Sequence, residues 1–266
     1  MILRLWGVFV AEGLTREFLF YPGCTLNTTA NRLCMYAEKS TEALGYKLTT
    51  LEQWQCCGAV FPLASDEVAS KLSAVRALKM ASEKNLPLVT LCSACFHVLK
   101  QANHQAKTDK DFVDIVMNYD SELEYNGEAK VLHYLEVLRD FVGFEKLKSL
   151  VKKPLSCYRL GAYYGCMMLR PSEVMDFDDA ENPSIFEDFI RAIGAEAVPY
   201  PYRNECCGGY KVPKKSSELS KQVMHSSALR GADSLITACP LCEYNLSRHG
   251  SVYYFTELLA KALGVE

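Results

Sequence analysis

The chain has 266 residues, of which 49% are hydrophobic and 23% are charged, which is the composition of a soluble globular protein. Its formal net charge of −3 at pH 7 provides no basic surface, so nucleic acid is not an expected partner. No apolar run reaches the roughly 18 residues that a membrane-spanning helix requires, so no such span is expected.

The first half of the chain predicts alternating strands and helices. Residues 1–16 are expected to form an N-terminal extension rather than a signal peptide, because charged Glu12 and Arg16 closely follow the apolar run. The elements predicted after this extension are a strand at 18–21, a helix at 31–44, an extended segment at 47–51, a helix at 65–84, a buried strand at 86–91 and a helix at 96–103.

The second half repeats this order of elements. Its predicted elements are a helix at 186–193, an extended segment at 195–200, a helix at 216–230 and a strand at 234–237. Alternating strands and helices predict an α/β fold with two pseudo-symmetric halves and mostly parallel sheets. The expected domains are residues 17–144 and 155–266, with a polar linker at 145–154.

Ten of the twelve cysteines belong to one five-cysteine pattern that occurs twice. Each copy has a single cysteine after Tyr-x-Gly, then Cys-Cys-Gly, then Cys-x-x-Cys, with 31 and 34 intervening residues in the first copy and 39 and 31 in the second. The first copy comprises Cys24, Cys56, Cys57, Cys92 and Cys95, and the second comprises Cys166, Cys206, Cys207, Cys239 and Cys242. Such thiolates are typical iron–sulfur ligands, and the repeat predicts two cluster sites in two related halves.

Two other uses of these cysteines fit the pattern less well. Six disulfides are typical of short secreted proteins, whereas this chain is long enough to form a core without them and has no recognisable secretion signal, which favours the reducing cytoplasm. A zinc site has four ligands, usually two Cys-x-x-Cys pairs about 15 to 20 residues apart. Five sulfurs are one more than zinc or a cubane [4Fe-4S] cluster binds, so each copy has either a spare thiol or an unusual cluster.

The double cysteines require a special backbone conformation. Adjacent side chains in a regular strand point to opposite faces, so both thiols reach one site only where the backbone turns. Gly58 and Gly208–Gly209 directly follow the double cysteines and allow such a turn. Ligands of parallel α/β sheets bind beyond the carboxyl ends of strands, and the predicted strands deliver their cysteines there.

The constellation resembles the cysteine-rich CCG domain over nearly the whole chain, from Phe18 to Leu263. Two copies without a ferredoxin-like cysteine segment ahead of them look like the B subunit of heterodisulfide reductase and its bacterial relatives. The resemblance implies that each set of five cysteines binds one noncubane [4Fe-4S] cluster, and that the ten cysteines act in catalysis through these clusters. Met167 follows Cys166 where the family often has a histidine, and this departure argues against the substrate of the methanogens.

The resemblance also implies an activity and partners. The chain would be the catalytic iron–sulfur subunit of a larger oxidoreductase, which reduces a disulfide or, in reverse, oxidises thiols. A ferredoxin-like C-type subunit and a flavoprotein A-type subunit are the implied partners, since the chain has no G-x-G-x-x-G nucleotide-binding sequence. The implied substrate is a small disulfide or a protein-bound thiol.

Three alternatives remain open at this stage. One is a sulfur-oxidation complex that acts on a protein-bound thiol or persulfide, and another is the electron-transfer subunit of a quinone-linked dehydrogenase. The third, from a different class, is a structural zinc-binding interaction protein without redox activity. Metal analysis would separate the third alternative from the other two.

Three residues outside the ten cysteines need separate predictions. Cys34 lies on a predicted helix and Cys157 in a strand-like stretch, and both are expected to be buried, unreactive thiols. His97 lies two residues after Cys95 and is the histidine best placed to reach a cluster as a proton donor. Its alternative role is that of a structural polar residue.

Overall fold

The computed structural model of the protein describes residues 16–59, 69–209 and 211–266. The expected N-terminal extension lies outside the described residues up to position 15, and so does the predicted helix start at 65–68. Each half of the chain forms a four-stranded parallel sheet with helices packed against it, which confirms the predicted α/β class.

The two sheets have the same topology. The first contains β1 (Arg16–Tyr21), β2 (Tyr46–Thr50), β3 (Leu88–Thr90) and β4 (Val131–His133). The second contains β5 (Arg159–Tyr163), β6 (Glu196–Ala197), β7 (Ser234–Thr237) and β8 (Val252–Tyr254). The strand orders are β2-β1-β3-β4 and β6-β5-β7-β8, and every pairing is parallel. The duplicated cysteine pattern therefore corresponds to a duplicated fold.

The helices of the described residues connect these strands. The α-helices are α1 (Asn31–Ala43), α2 (Leu72–Glu83), α3 (Ser93–Thr108), α4 (Lys110–Tyr119), α5 (Tyr134–Glu136), α6 (Phe144–Leu150), α7 (Ser172–Met175), α8 (Ile185–Ala192), α9 (Pro213–Leu229), α10 (Pro240–Ser247) and α11 (Phe255–Leu263). Two 3₁₀ turns (Ala69–Lys71 and Pro201–Asn204) and a π-helical turn (Val137–Val142) complete the set.

Two segments differ from the expectation. The helix expected at 96–103 begins instead at Ser93, because Cys92 is extended and caps it, so Cys95 lies inside the first turn of α3. The stretch expected to be a polar linker, residues 145–154, lies largely within α6 and the turn after it. Leu147 is fully buried there, and α6 packs against α8 of the second half.

The two halves share one core. Helix α11 of the second half packs against α1 of the first, where the Thr256 hydroxyl donates to the Leu33 carbonyl at 2.9 Å. The buried rings of His133 and Phe255 lie 5.6 Å apart. The Tyr254 hydroxyl at the end of β8 donates to the carbonyl of Leu91 in the first half at 2.8 Å. These contacts hold the carboxyl ends of both sheets next to each other.

Strand register positions the cysteines at these carboxyl ends. Tyr21 of β1 lies opposite Thr90 of β3, and Tyr163 of β5 lies opposite Thr237 of β7. In each half the single cysteine follows the tyrosine by three residues, and the first cysteine of Cys-x-x-Cys follows the threonine by two. Both segments therefore emerge side by side between β1 and β3, or β5 and β7, where the strand order reverses and α/β sheets bind ligands.

Candidate metal centres

The five cysteines of the first copy come together in one pocket. The Cys57 thiol donates to Cys95 Sγ at 3.5 Å, and Cys24, Cys56 and Cys92 line the same pocket. Cys24 and Cys56 are half-buried, whereas the other three thiols are buried. All five predicted side chains of this half therefore meet at one site.

The second copy has the same arrangement. The Cys207 thiol donates to Cys242 Sγ at 3.4 Å, and Cys166, Cys206 and Cys239 lie around the same pocket. The five sulfurs line one pocket together with Tyr164, Met167 and other side chains. The predicted partition into two five-cysteine groups is thus the arrangement that the fold produces.

A backbone turn brings each pair of adjacent cysteines to one site, as the sequence predicts. Gly58 has a φ of +81° and Gly208 a φ of +85°, values that a residue with a side chain rarely adopts. The Gly208 N–H donates to Cys206 Sγ at 3.3 Å, so the turn also supplies a donor to the sulfur. The neighbouring Cys166 thiol is the main reason that the pKa of Cys206 is lowered to about 6.

The single cysteine of the first site depends on close backbone approach. Gly23, directly before Cys24, has a φ of +72°, and a Cβ atom there would lie 2.8 Å from Cys95 Sγ. At the corresponding Gly165 a Cβ atom would lie 3.5 Å from Cys242 Sγ, which is an ordinary contact. In both loops the backbone of the glycine lies close to a cysteine sulfur, and the approach is closer at Gly23 than at Gly165.

The Cys-x-x-Cys segments begin the helices α3 and α10. Cys92 and Cys239 are the N-cap residues, so their side chains lie beside the first-turn backbone N–H groups of each helix. Helix N-termini stabilise thiolates because unpaired N–H groups point at the sulfur. The neighbouring thiols of Cys242 and then of Cys92 hold the pKa of Cys239 well below its usual range.

The two pockets adjoin each other. Cys92 and Cys239 line the same pocket, and each influences the pKa of the other, so the sulfur groups of the two halves are neighbours. Beside them the backbone N–H and the hydroxyl of Ser93 both donate to the carbonyl of Ala238, at 2.9 and 3.0 Å. Cys239 and Leu241 line both pockets. Two redox centres at these positions would be immediate neighbours.

The donor set suits iron–sulfur clusters. Among the described residues, the two pockets are lined by cysteines, by small and apolar side chains, and by Thr25, Ser93 and Tyr164. Thiolate is a soft ligand that iron–sulfur clusters use, and apolar walls limit access of water. In the part of the chain that the structure describes, no three histidine, cysteine or carboxylate side chains surround a single-ion position; the thiols contact one another instead.

A buried polar network supports the second site. The Tyr164 hydroxyl donates to Glu187 Oε2 at 2.5 Å and accepts from the Phe186 N–H at 2.8 Å. Arg203 binds the other carboxylate oxygen of Glu187 at 2.7 Å, and its carbonyl accepts from the Tyr164 N–H at 2.8 Å. Burial is the main reason that the pKa of Tyr164 is raised far above its usual value. Pro22 takes the place of Tyr164 in the first half, so the two sites are not identical.

The other predicted residues have different outcomes. Cys34 is half-buried, donates to the Leu26 carbonyl at 3.4 Å and has its pKa raised to about 12 by burial, which fits an unreactive thiol. The prediction for Cys157 is wrong, because this residue lies in the exposed turn before β5. His97 is half-buried, and its Nδ1 lies 3.1 Å from the Met167 carbonyl of the other half, where it connects the two halves.

Sequence reasoning missed two residues that contact the sites. Asn245 is buried, and its amide Nδ2 donates to Cys207 Sγ at 3.6 Å. It lies three residues after Cys242 on α10, so one helical turn places both on the same face of the helix. Ser93 is one of the two residues between the cysteines of Cys-x-x-Cys, and the sequence gives no sign of its role. Its hydroxyl donates to the Ala238 carbonyl of the other half.

Comparison with known sequences agrees with this arrangement. The family described as "Cysteine-rich domain" (CCG) matches residues 18–100 and 160–247. The chain is 33% identical to the 8-methylmenaquinol:fumarate reductase membrane anchor subunit of Wolinella succinogenes, over 95% of this chain and 94% of that protein. It is 30% identical to the heterodisulfide reductase B-subunit-like protein of Archaeoglobus profundus, over 85% and 79% of the two chains.

A methanogen protein and a crystal structure complete the comparison. The B subunit of the ferredoxin/F420H2-dependent CoB-CoM heterodisulfide reductase of Methanosarcina acetivorans is 28% identical, over 92% of this chain and 85% of that protein. A hypothetical protein from Helicobacter pylori shares the fold with a TM-score of 0.68 at 12% identity, and the match covers 94% of this chain and 49% of that one. In the described part of the chain, no helix has the length and apolar character to cross a bilayer.

Proposed function

The chain belongs to the cysteine-rich CCG-domain family, and from this premise we propose that it is the iron–sulfur subunit of a heterodisulfide-reductase-like complex. The observation that carries the proposal is that the two five-thiol pockets adjoin: Cys239 and Leu241 line both of them, and Ser93 binds the Ala238 carbonyl beside them. Two adjoining electron carriers suit a reaction that needs two electrons at one place. Two sites far apart in the two halves could not deliver two electrons to the same place.

The proposed cofactors are two noncubane [4Fe-4S] clusters, one in each thiol group. Five sulfurs at each site, rather than four, support a noncubane ligand set. When bound, each cluster supplies one-electron transfer. The chain contributes the thiolates, the N–H groups of the first turns of α3 and α10, and apolar walls that exclude water.

The proposed reaction is the reduction of a disulfide to two thiols, or the reverse oxidation. A disulfide takes up two electrons and two protons when its S–S bond breaks, and each of the two adjoining sites would deliver one electron. The relatives named for the B subunit of heterodisulfide reductase support this chemistry for the chain. Electrons would reach it from a ferredoxin-like C-type subunit and a flavoprotein A-type subunit, within the cytoplasm, and a protein-bound thiol or persulfide is a further substrate of the same chemistry.

A disulfide-dependent oxidation of the reduced protein tests this proposal. Anaerobically purified and chemically reduced protein is mixed with a small organic disulfide, and paramagnetic signals and free thiols are followed together. We expect the reduced signals to disappear and two thiols to form per disulfide. Cys157→Ser is the background for the assay, because the exposed Cys157 thiol would otherwise exchange with the disulfide directly. Signals that persist in the presence of disulfide would contradict the proposed reaction.

A second candidate is an electron-transfer subunit of a quinone-linked dehydrogenase. The relative from Wolinella succinogenes, named for a menaquinol:fumarate reductase, supports it at 33% identity over 95% of this chain. Samples of the protein in its reduced and oxidised forms are used to test this candidate against the first. Reduction of the oxidised protein by a soluble menaquinol analogue, without reaction with the disulfide, would favour this candidate over the first.

A further inference from the structure

The double cysteines of the two thiol groups have similar burial and backbone surroundings. Cys57 and Cys207 are 3% and 4% exposed, and in each half a glycine with a positive φ directly follows the double cysteine. The single cysteine and the first of the double cysteines are half-buried in both halves. Solvent access therefore does not distinguish one site from the other.

A side-chain amide does distinguish the two sites. Asn245 on α10 donates from Nδ2 to Cys207 Sγ at 3.6 Å, and this amide is itself 8% exposed. The corresponding residue of the first half, three positions after Cys95, is Val98, which has no donor. A cation adds to the difference: Lys211 lies near Cys206, four residues after Cys207, where the first copy has Phe61 in its sequence.

Donors and cations at a ligating sulfur stabilise the more negative, reduced form of a cluster. Hydrogen bonds to the sulfurs and net charge are two of the factors that set cluster reduction potentials, and both raise the potential when they favour the reduced form. A buried amide acts in surroundings of low dielectric constant, where its dipole is weakly screened. The effect of Asn245 should therefore exceed that of a solvent-exposed donor.

We propose that Asn245 holds the reduction potential of the second cluster above that of the first. The inference rests on the proposed function, since it requires a cluster at each thiol group. The first electron supplied by the reducing partner then resides on the second cluster, and the first cluster is reduced next. The two halves are thus similar in fold but unequal as electron carriers, and Asn245 is the positioning residue that makes them so.

Asn245→Leu tests the inference, because leucine has a similar volume and no N–H donor. Potentiometric titration followed by electron paramagnetic resonance gives the midpoint potential of each cluster, and a Cys56→Ala background assigns the signal of the second. We expect Asn245→Leu to lower the potential of the second cluster and to leave the first cluster and the iron content unchanged. Full iron content with an unchanged second potential would overturn the inference.

Val98→Asn is the matched gain-of-donor variant. It places an amide three residues after Cys95 and should raise the potential of the first cluster towards that of the second. This variant decides the question if Asn245→Leu loses its second cluster, since an unchanged first potential would then overturn the inference. Absence of iron from the unaltered chain would overturn the proposed function itself, so the two failures are distinguished by iron analysis.

Discussion

At the scale of single residues, backbone next to sulfur limits what the first site tolerates. Gly23→Ala introduces a Cβ atom 2.8 Å from Cys95 Sγ at a φ of +72°, so we expect the first site to lose its iron and the second to keep its own. Gly45→Ala is the control, with a φ of +81° and nothing within 4 Å. Both changes should cost about 1–2 kcal/mol of unfolding free energy, but only the first should change the iron content. Equal iron content in Gly23→Ala and Gly45→Ala would contradict the requirement for close approach of the Gly23 backbone to Cys95 Sγ.

The fifth thiol of each group decides between a noncubane and a cubane cluster. Serine substitutions in turn at the first group (Cys24, Cys56, Cys57, Cys92 and Cys95) should each lower the iron content or change the paramagnetic signal, because all five sulfurs meet at the site. Cys34→Ser is the control and should leave the iron content and the paramagnetic signal unchanged. The Cys34 thiol is not one of the five, and it donates to the Leu26 carbonyl instead. One silent position among the five would contradict the noncubane assignment for that half.

Single residues also mark the limit of prediction from the sequence. The ten cysteines could be grouped because a duplicated spacing is a pattern that one chain displays by itself. Asn245 could not be recognised in the same way, since one polar residue on a helix has no periodicity and its counterpart is Val98. The exposure of Cys157 was missed because the turn before β5 breaks what reads as a continuous strand.

At the scale of elements, the buried ion pair of α8 supports the second site. The side chains of Arg203 and Glu187 are 15% and 5% exposed and lie 2.7 Å apart. Arg203→Ala would leave the Glu187 carboxylate buried with one partner fewer, so we expect a loss of about 3–5 kcal/mol in urea unfolding. Arg191→Ala is the control, because its pair with Asp188 is 60% and 48% exposed and should contribute less than about 1 kcal/mol. Equal losses would contradict a structural role for the buried pair.

The short helix α5 contains a buried carboxylate whose contribution to the free energy of unfolding depends on pH. Glu136 is buried, its carboxylate accepts from the His133 N–H at 2.7 Å, and burial raises its pKa to about 7. Because the folded pKa exceeds the unfolded one, this group contributes fully to stability below about pH 4.5, and the contribution is lost as the pH rises through 7. Glu136→Gln keeps an acceptor without the charge, so its unfolding free energy relative to the original chain should rise by about 2.5 kcal/mol between pH 5 and pH 8. A pH-independent difference would contradict the buried carboxylate.

The prediction of elements succeeded where local signals were strong. The strand at 234–237 has the predicted bounds because a buried apolar run ends directly at a cysteine loop. Helix α6 was missed because Glu145, Lys146 and Lys148 gave its sequence a polar character, while a single buried residue, Leu147, holds it to the core. The helix expected at 96–103 begins earlier, since a capping cysteine is not distinguished by composition from a loop cysteine.

At the scale of the whole molecule, the contact between the two sites is a property of long-range packing. The duplicated motif predicts two sites, but their separation depends on α11 against α1, where Thr256 binds Leu33 across 223 positions of the chain. No local pattern encodes such a contact. The same packing brings Cys92 to Cys239 and Ser93 to Ala238, and so places the thiol groups of two similar halves side by side.

Iron content of the anaerobically purified chain, measured beside two single variants, tests the central claim most directly. Two four-iron clusters predict about eight iron atoms per chain. Cys56→Ala should remove only the cluster of the first group and Cys206→Ala only that of the second, so each variant should keep about four iron atoms. Only about four iron atoms, or stoichiometric zinc, in the unaltered chain would contradict the two-cluster account, and so would the loss of both clusters from either variant with its fold intact.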